Sequence, residues 1–208
     1  MRHLTFLLLF SLQLGAQSQI GAYSQVSASS WASNRNFDAF EPVFNYNFGI
    51  LFNHQNEDWL YVLSLEHLKL GAKQLQYYAG SANTSPYFSW RETSYYFVNS
   101  YLSLLRKIGG SNSLDFYAGL GLNLGHAYNQ SIRSTNHRNG LGEEVYFGPE
   151  NLPYNFYLAP EFLVRVDYRI NQYLDCFIAP AYSYQIRQDL DQHSFGIFQL
   201  NTGVLYNL

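Results

Sequence analysis

Phe44-Asn45-Tyr46-Asn47-Phe48-Gly49-Ile50-Leu51-Phe52-Asn53 is the stretch from which the fold is read. Large apolar side chains stand at 44, 46, 48, 50 and 52, against Asn45, Asn47, Gly49, Leu51 and Asn53. A period of two puts the two sets on opposite faces of a β-strand. In a soluble sheet the large set would turn inward onto a core. In a transmembrane barrel it turns outward to lipid, and the small, mostly polar set lines the interior.

The same alternation returns along the chain. Trp59, Tyr61, Leu63 and Leu65 oppose Leu60, Val62, Ser64 and Glu66. Phe116, Ala118, Leu120, Leu122 and Leu124 oppose Tyr117, Gly119, Gly121, Asn123 and Gly125. Runs at 156–168, 174–185 and 198–208 repeat the pattern. Residues 95–106 are strand-like without a clear choice of faces, and 20–30 alternate poorly but are needed for closure. The sum is eight strands, an even number as bacterial barrels of this kind require, and the fold class is an all-β, antiparallel, up-and-down transmembrane β-barrel. Connections alternate long (31–41), short (54–58), long (73–93), short (107–113), long (126–154), short (169–173) and medium (187–194). That is the order of outer loops and periplasmic turns when both ends of the chain are periplasmic. Pro160 and Pro180 fall inside expected strands, where proline forfeits a ladder bond, so local bulges are expected at both.

The N-terminus points to export. Met1-Arg2-His3 is a basic start, Leu4 to Leu14 is apolar, and Gly15-Ala16 supplies small residues. This is the order of a secretory signal peptide cleaved after Ala16, leaving residues 17–208 as one barrel domain. The chain carries 12 basic and 15 acidic residues, and loss of Arg2 with the signal brings the mature net charge to −4. That balance, without a basic cluster, excludes a nucleic-acid binder. One cysteine, Cys176, excludes a disulfide framework and a thiolate metal cluster. Aromatics at 18% exceed charged residues at 13%, about half the usual charged share. Lipid permits only helices or closed barrels to span, and no apolar run outside the signal is long enough for a helix.

The middle of the chain also carries a resemblance. Tyr95 to Lys107 (YYFVNSYLSLLRK), a glycine turn, then Phe116 to Gly125 (FYAGLGLNLG), and later Leu174 to Tyr184 (LDCFIAPAYSY), resemble PorT-like outer-membrane β-barrels of Bacteroidota-type bacteria. An Ile-Pro frequent in the fourth strand of that family is replaced here by Asn99-Ser100. The resemblance implies an outer-membrane location and no single activity. Some relatives assist secretion or gliding.

No catalytic, cofactor-binding or metal-binding residues are assigned. Glu66, Glu161, Arg165, Asp167, Asp175 and Arg187 face the expected lumen, where charges must be paired, which points to a plug of ion pairs. A gated narrow pore is the functional alternative at the same residues. The histidines His54, His67, His126, His137 and His193 are scattered and form no ligand pair. His126 and His193-Ser194 keep an outer-leaflet esterase or acyltransferase open, although neighbours on a strand point apart. Gly119, Gly121 and Gly125 are one residue off a dinucleotide fingerprint and precede no helix, so they serve to make room for lumen side chains. Arg133, Arg138, Glu143 and Glu144 in the longest connection are outer-loop binding candidates. The expected partners are outer-membrane lipid and a surface ligand or periplasmic secretion partner, with the barrel a monomer. Trp59, Tyr61, Tyr168 and Tyr206 should form the inner aromatic girdle, with Tyr87 and Trp90 toward the outer loops. A soluble exported barrel or sandwich, with its large apolar face buried, is the remaining alternative.

Overall fold

The computed structural model describes residues 17–32, 40–78, 87–136, 142–147, 156–186 and 194–208. Residues 1–16, Arg138, Arg187, His137 and His193 lie outside them. Among the described residues the strands are β1 (Gln17–Ala32), β2 (Phe40–Asn56), β3 (Trp59–Tyr78), β4 (Tyr87–Gly110), β5 (Leu114–Asn136), β6 (Gly142–Phe147), β7 (Phe156–Arg169), β8 (Leu174–Tyr184) and β9 (Ser194–Asn207). Every pairing is antiparallel, and β9 closes on β1. Eight strands form the barrel, while β6 pairs only with the far end of β5.

The register fixes the shape. One rung runs from Gln19 through Asn53, Val62, Ser103, Gly121, Glu161, Ser183 and Ile197, and returns to β1 at Ser29, ten residues on. With a rise of about 3.3 Å per residue and about 4.8 Å between strands, that stagger tilts the strands by about 41° from the barrel axis. Membrane barrels of this size have such a tilt.

The faces resolve as the alternation requires. Phe44, Tyr46 and Phe48 are 70%, 79% and 66% exposed on the outside, while Asn45, Asn47 and Asn53 are buried inside. The large apolar set therefore forms the outer surface, which removes the soluble alternative with a buried apolar face. An apolar exterior this continuous is far larger than a soluble monomer tolerates. Strand 95–106 gains its faces: Tyr95, Phe97, Asn99, Tyr101, Ser103 and Leu105 are buried, while Val98, Leu102 and Leu104 are exposed. Inward glycines seat aromatic rings. A Cβ on Gly49 would come within 2.6 Å of the Tyr23 ring, and one on Gly203 within 2.6 Å of Phe177. Gly121 meets Tyr101 in the same way.

Three expectations are corrected. The prolines cause no bulge: Leu122↔Pro160 and Pro180↔Leu200 stay in register. Their missing N–H groups fall on the β7–β8 seam, where pairing lapses between Leu158↔Ile186 and Glu161↔Ser183 and again between Leu163↔Ala181 and Val166↔Ile178. The register shifts lie elsewhere, between Pro42 and Phe48, between Tyr96 and Phe97, and between Lys107 and Gly109. At the first of them, side chains replace the interrupted ladder. Asn47 Oδ1 accepts from Lys69 N at 2.8 Å, and Ser29 Oγ accepts from Gly71 N at 2.8 Å and donates to Gly71 O at 2.7 Å.

The second and third corrections concern length and number. β3, β4 and β5 run 20, 24 and 23 residues against 14, 11 and 14 for β7, β8 and β9. Much of 73–93 and 126–154 is therefore strand rather than loop, and β6 adds a ninth strand. Beyond the rung His67↔Val98↔His126↔Phe156, the β3–β4 pair continues to Tyr78↔Tyr87, roughly 36 Å of extra strand at the usual rise. The opposite end has short connections, including Asn56 to Trp59, where Glu57 takes φ 52° in the region glycine favours.

Candidate functional site

The interior is layered. A polar ring at mid-barrel lies between two groups of buried apolar side chains. One contains Leu51, Leu60, Val62, Leu105, Leu163, Phe177 and Leu205. The other, toward the long hairpins, contains Leu68, Leu70, Tyr95, Phe97, Ala127 and Ile197.

The ring takes a side chain from each barrel strand. Tyr23 Oη on β1 donates to Glu66 Oε2 on β3 at 2.6 Å, and Asn99 Nδ2 on β4 donates to Glu66 Oε1 at 2.5 Å. Asn99 Nδ2 also reaches Asn123 Oδ1 on β5 at 2.9 Å, and Asn123 Nδ2 donates to Glu161 Oε2 on β7 at 2.9 Å. Gln199 Nε2 on β9 donates to the same carboxylate oxygen at 2.7 Å and to Ser183 Oγ on β8 at 3.1 Å. Gln25 Nε2 on β1 donates to Gln199 Oε1, and Asn47 Nδ2 on β2 donates to Gln25 Oε1 at 2.6 Å. The circuit exists because inward positions at one level carry Asn, Gln, Glu and Ser, whose donors and acceptors match across strands. The cavity left between Glu66, Glu161, Tyr101 and Ser103 is about 30 Å³, room for about one water molecule.

Of the lumen candidates, Glu66, Glu161, Arg165 and Asp175 are buried inside, and Asp167 lies below the ring toward the short-turn end. The expected plug of ion pairs does not form at mid-barrel among the described residues, and Arg187 lies outside them. Among the described residues, neither Glu66 nor Glu161 pairs with a cation, and neutral amides and a phenol hold both instead. Glu161 and Arg165 are four residues apart on an extended strand, about 13 Å, too far to meet. Arg165 turns to Asp167 instead, Nε to Oδ1 at 2.6 Å and Nη2 to Oδ2 at 3.1 Å, with its guanidinium 4.3 Å from the Phe177 ring centre. Gln19 Nε2 donates to Asp175 Oδ2 at 2.6 Å. A polar vestibule of about 320 Å³ opens beneath, lined by Gln17, Gln55, Lys107, Asp115, Asp167 and Arg169 among others. Lys107 Nζ sits 2.6 Å from Asp115 Oδ1 there.

Of the outer-loop candidates, Arg133, Glu143 and Glu144 lie on strands, and Arg138 is outside the described residues. Register places Arg133 opposite Glu92 on β4 and Glu144 on β6, with Glu143 opposite Ser134. The row continues through Lys73 to Glu41, so acidic and basic positions alternate across five strands. Lys73 Nζ is 3.2 Å from Glu41 Oε2 and 4.4 Å from the Trp90 ring centre. Alternation along one strand does not reveal this row, because its members are 11 to 103 positions apart in sequence and are joined only by register. His193 lies outside the described residues, and no grouping of ligands for a metal occurs among the described residues. At the turn end Trp59, Tyr61, Tyr168 and Tyr206 are exposed, and Tyr173 stacks on Tyr206 at 6.5 Å.

No protein-family model matches the chain. No curated protein matches it either. Solved structures do. Neisserial surface protein A is similar at 13% identity, covering 93% of this chain and 99% of that one, with a TM-score of 0.53. The outer membrane protein OprG of Pseudomonas aeruginosa matches at 12% identity over 93% and 96%, TM-score 0.48. Ail, the attachment invasion locus protein of Yersinia pestis, matches at 12% identity over 93% and 99%, TM-score 0.44. At 13% identity the likeness to Neisserial surface protein A is one of fold, a closed eight-stranded barrel of the outer-membrane kind.

Proposed function

We propose that this chain is an integral outer-membrane protein whose barrel is a sealed, non-catalytic scaffold and whose long hairpins, β3–β4 and β5–β6, carry a binding surface. The observation that supports it most directly is the pairing of a filled lumen with strands that continue far beyond it. A ring that engages all eight barrel strands holds the interior shut, so the parts free to recognise another molecule are the projecting hairpins. In this reading residues 1–16 are an export signal, the outward apolar belt contacts lipid, and the short turns are periplasmic. The runs at 95–107, 116–125 and 174–184 support kinship with PorT-like barrels.

Two experiments test the reading. The mature chain extracted from outer membranes should migrate faster unboiled than boiled on a cold detergent gel, and should add no steady conductance to a planar bilayer. A water-soluble chain without a shift would overturn the membrane reading, and steady single-channel steps would overturn the sealed scaffold. A photo-crosslinking residue at Arg133 should capture a partner in living cells, while one at Asn112 in a short turn should not. Capture at Asn112 alone would move the binding role to the periplasmic side.

A further inference from the structure

The outer surface where the apolar belt ends carries a second feature that the sealed-scaffold reading does not use. His67 on β3 stacks on Phe48 of β2, ring centres 5.4 Å apart and planes 12° apart. Its Nε2 is 2.6 Å from Tyr128 Oη on β5, across the intervening strand. Tyr96 on β4 packs against both, 6.2 Å from each. Lys69 Nζ stands 5.6 Å from the Tyr96 ring centre. Lys69, Tyr96 and Asn129 share one rung, so a cation, an aromatic ring and an amide follow one another across three strands. Asn129 Oδ1 accepts from Gln130 N at 2.8 Å, which leaves its amide N–H groups free to donate outward.

Two irregularities bracket this cluster. The β2–β3 register shifts between Pro42 and Phe48, and Tyr128 is the extra residue where the β4–β5 register shifts. Bulges re-aim side chains and recur beside functional sites. Here the extra residue brings Tyr128 within reach of His67 on the outer face. Charge separates Lys69 from its neighbours. Lys73, two pleat repeats further along β3, is held by Glu41 at 3.2 Å, whereas Lys69 has no carboxylate within salt-bridge distance among the described residues.

We infer that Lys69, with Asn129 and the Tyr96–Tyr128–His67 floor, forms a site for the phosphate headgroup of an outer-leaflet lipid. The inference rests on the membrane reading above. The site lies directly beyond the exposed belt residues Phe48, Leu65 and Val98, where acyl chains would end. An uncompensated ammonium beside an amide donor suits an anionic oxygen there, and the aromatic floor suits the acyl-to-headgroup boundary.

The test is native mass spectrometry of the folded full-length mature barrel released from neutral detergent, with phosphatidic acid, phosphatidylcholine and inorganic phosphate as probes. Phosphatidic acid should bind about tenfold more tightly than phosphatidylcholine, from one uncompensated charge contact. Lys69→Gln should remove most of that preference, Lys69→Arg should keep it, and Lys73→Gln should leave it unchanged. Inorganic phosphate at millimolar concentration should not displace the lipid. Equal binding of the two lipids, or wild-type binding by Lys69→Gln, would overturn the site. Displacement by inorganic phosphate would overturn the lipid assignment in favour of the free ion. Each variant is first checked for the heat-dependent gel shift, so a failed barrel is distinguished from a failed site.

Discussion

Replacing Glu161 is the sharpest probe of the mid-barrel ring. Its Oε2 accepts from Asn123 Nδ2 and from Gln199 Nε2, and the side chain is 5% exposed. Glu161→Leu keeps the volume and removes both acceptors. Asn123 Nδ2 has no other partner among the described bonds, whereas Gln199 Nε2 keeps Ser183 Oγ. One buried donor is then fully orphaned and a second partly so, at roughly 1–3 kcal/mol for the first and less for the second. The sum is about 2–4 kcal/mol. Glu161→Ala removes the same acceptors but enlarges a cavity of about 30 Å³ enough to admit several waters, which rehydrate the donors. Alanine should therefore cost less than leucine, the reverse of the order usual in an apolar core. The assay is urea unfolding of the barrel in lipid vesicles, followed by tryptophan emission and the gel shift. At an m-value of about 2 kcal/mol/M, the leucine variant should lose roughly 1–2 M in its midpoint. A leucine variant as stable as the native protein, or an alanine variant less stable than leucine, would show that the ring is not a satisfied network.

Other parts of the barrel give independent outcomes. Arg165→Leu strands Asp167 beside the lumen wall and should cost about 3–5 kcal/mol, while Arg165→Leu with Asp167→Leu should recover most of it; a double-mutant cycle in the same vesicle assay measures the difference. Leu102→Arg, at an exposed position on the belt, should cost about 2–4 kcal/mol in vesicles if that face meets lipid. A neutral result would match a solvated surface instead. Pro180→Ala restores an N–H to the interrupted β7–β8 seam and should stabilise the barrel by about 1 kcal/mol, read as a higher urea midpoint.

Much of this architecture is carried by local sequence. Period two at 44–53 fixes which side chains can share a face, and no tertiary contact is needed to read it. Apolar and small polar sets on opposite faces, repeated through the chain, leave a closed barrel as the arrangement that satisfies every backbone group in lipid. The inner positions of Glu66, Glu161, Arg165 and Asp175 follow from the same parity. So does the room at Gly49, Gly121 and Gly203, which would otherwise be read as flexibility.

Register and stagger are the tertiary structure's contribution, because parity names a face but not a partner. The ten-residue stagger decides that Glu66 meets Tyr23 and Asn99, that Glu161 meets Asn123 and Gln199, and that neither meets an arginine among the described residues. It places both proline gaps on one seam, where the missing donors interrupt pairing without shifting it. It also turns the expected loops at 73–93 and 126–154 into paired strands, since polar residues far from the lipid belt are stabilised by neighbours that alternation along one strand cannot reveal. The fold was written in periodicity. The circuit of bonds that fills it, and the cluster on its rim, depend on which strand lies beside which, and at what height.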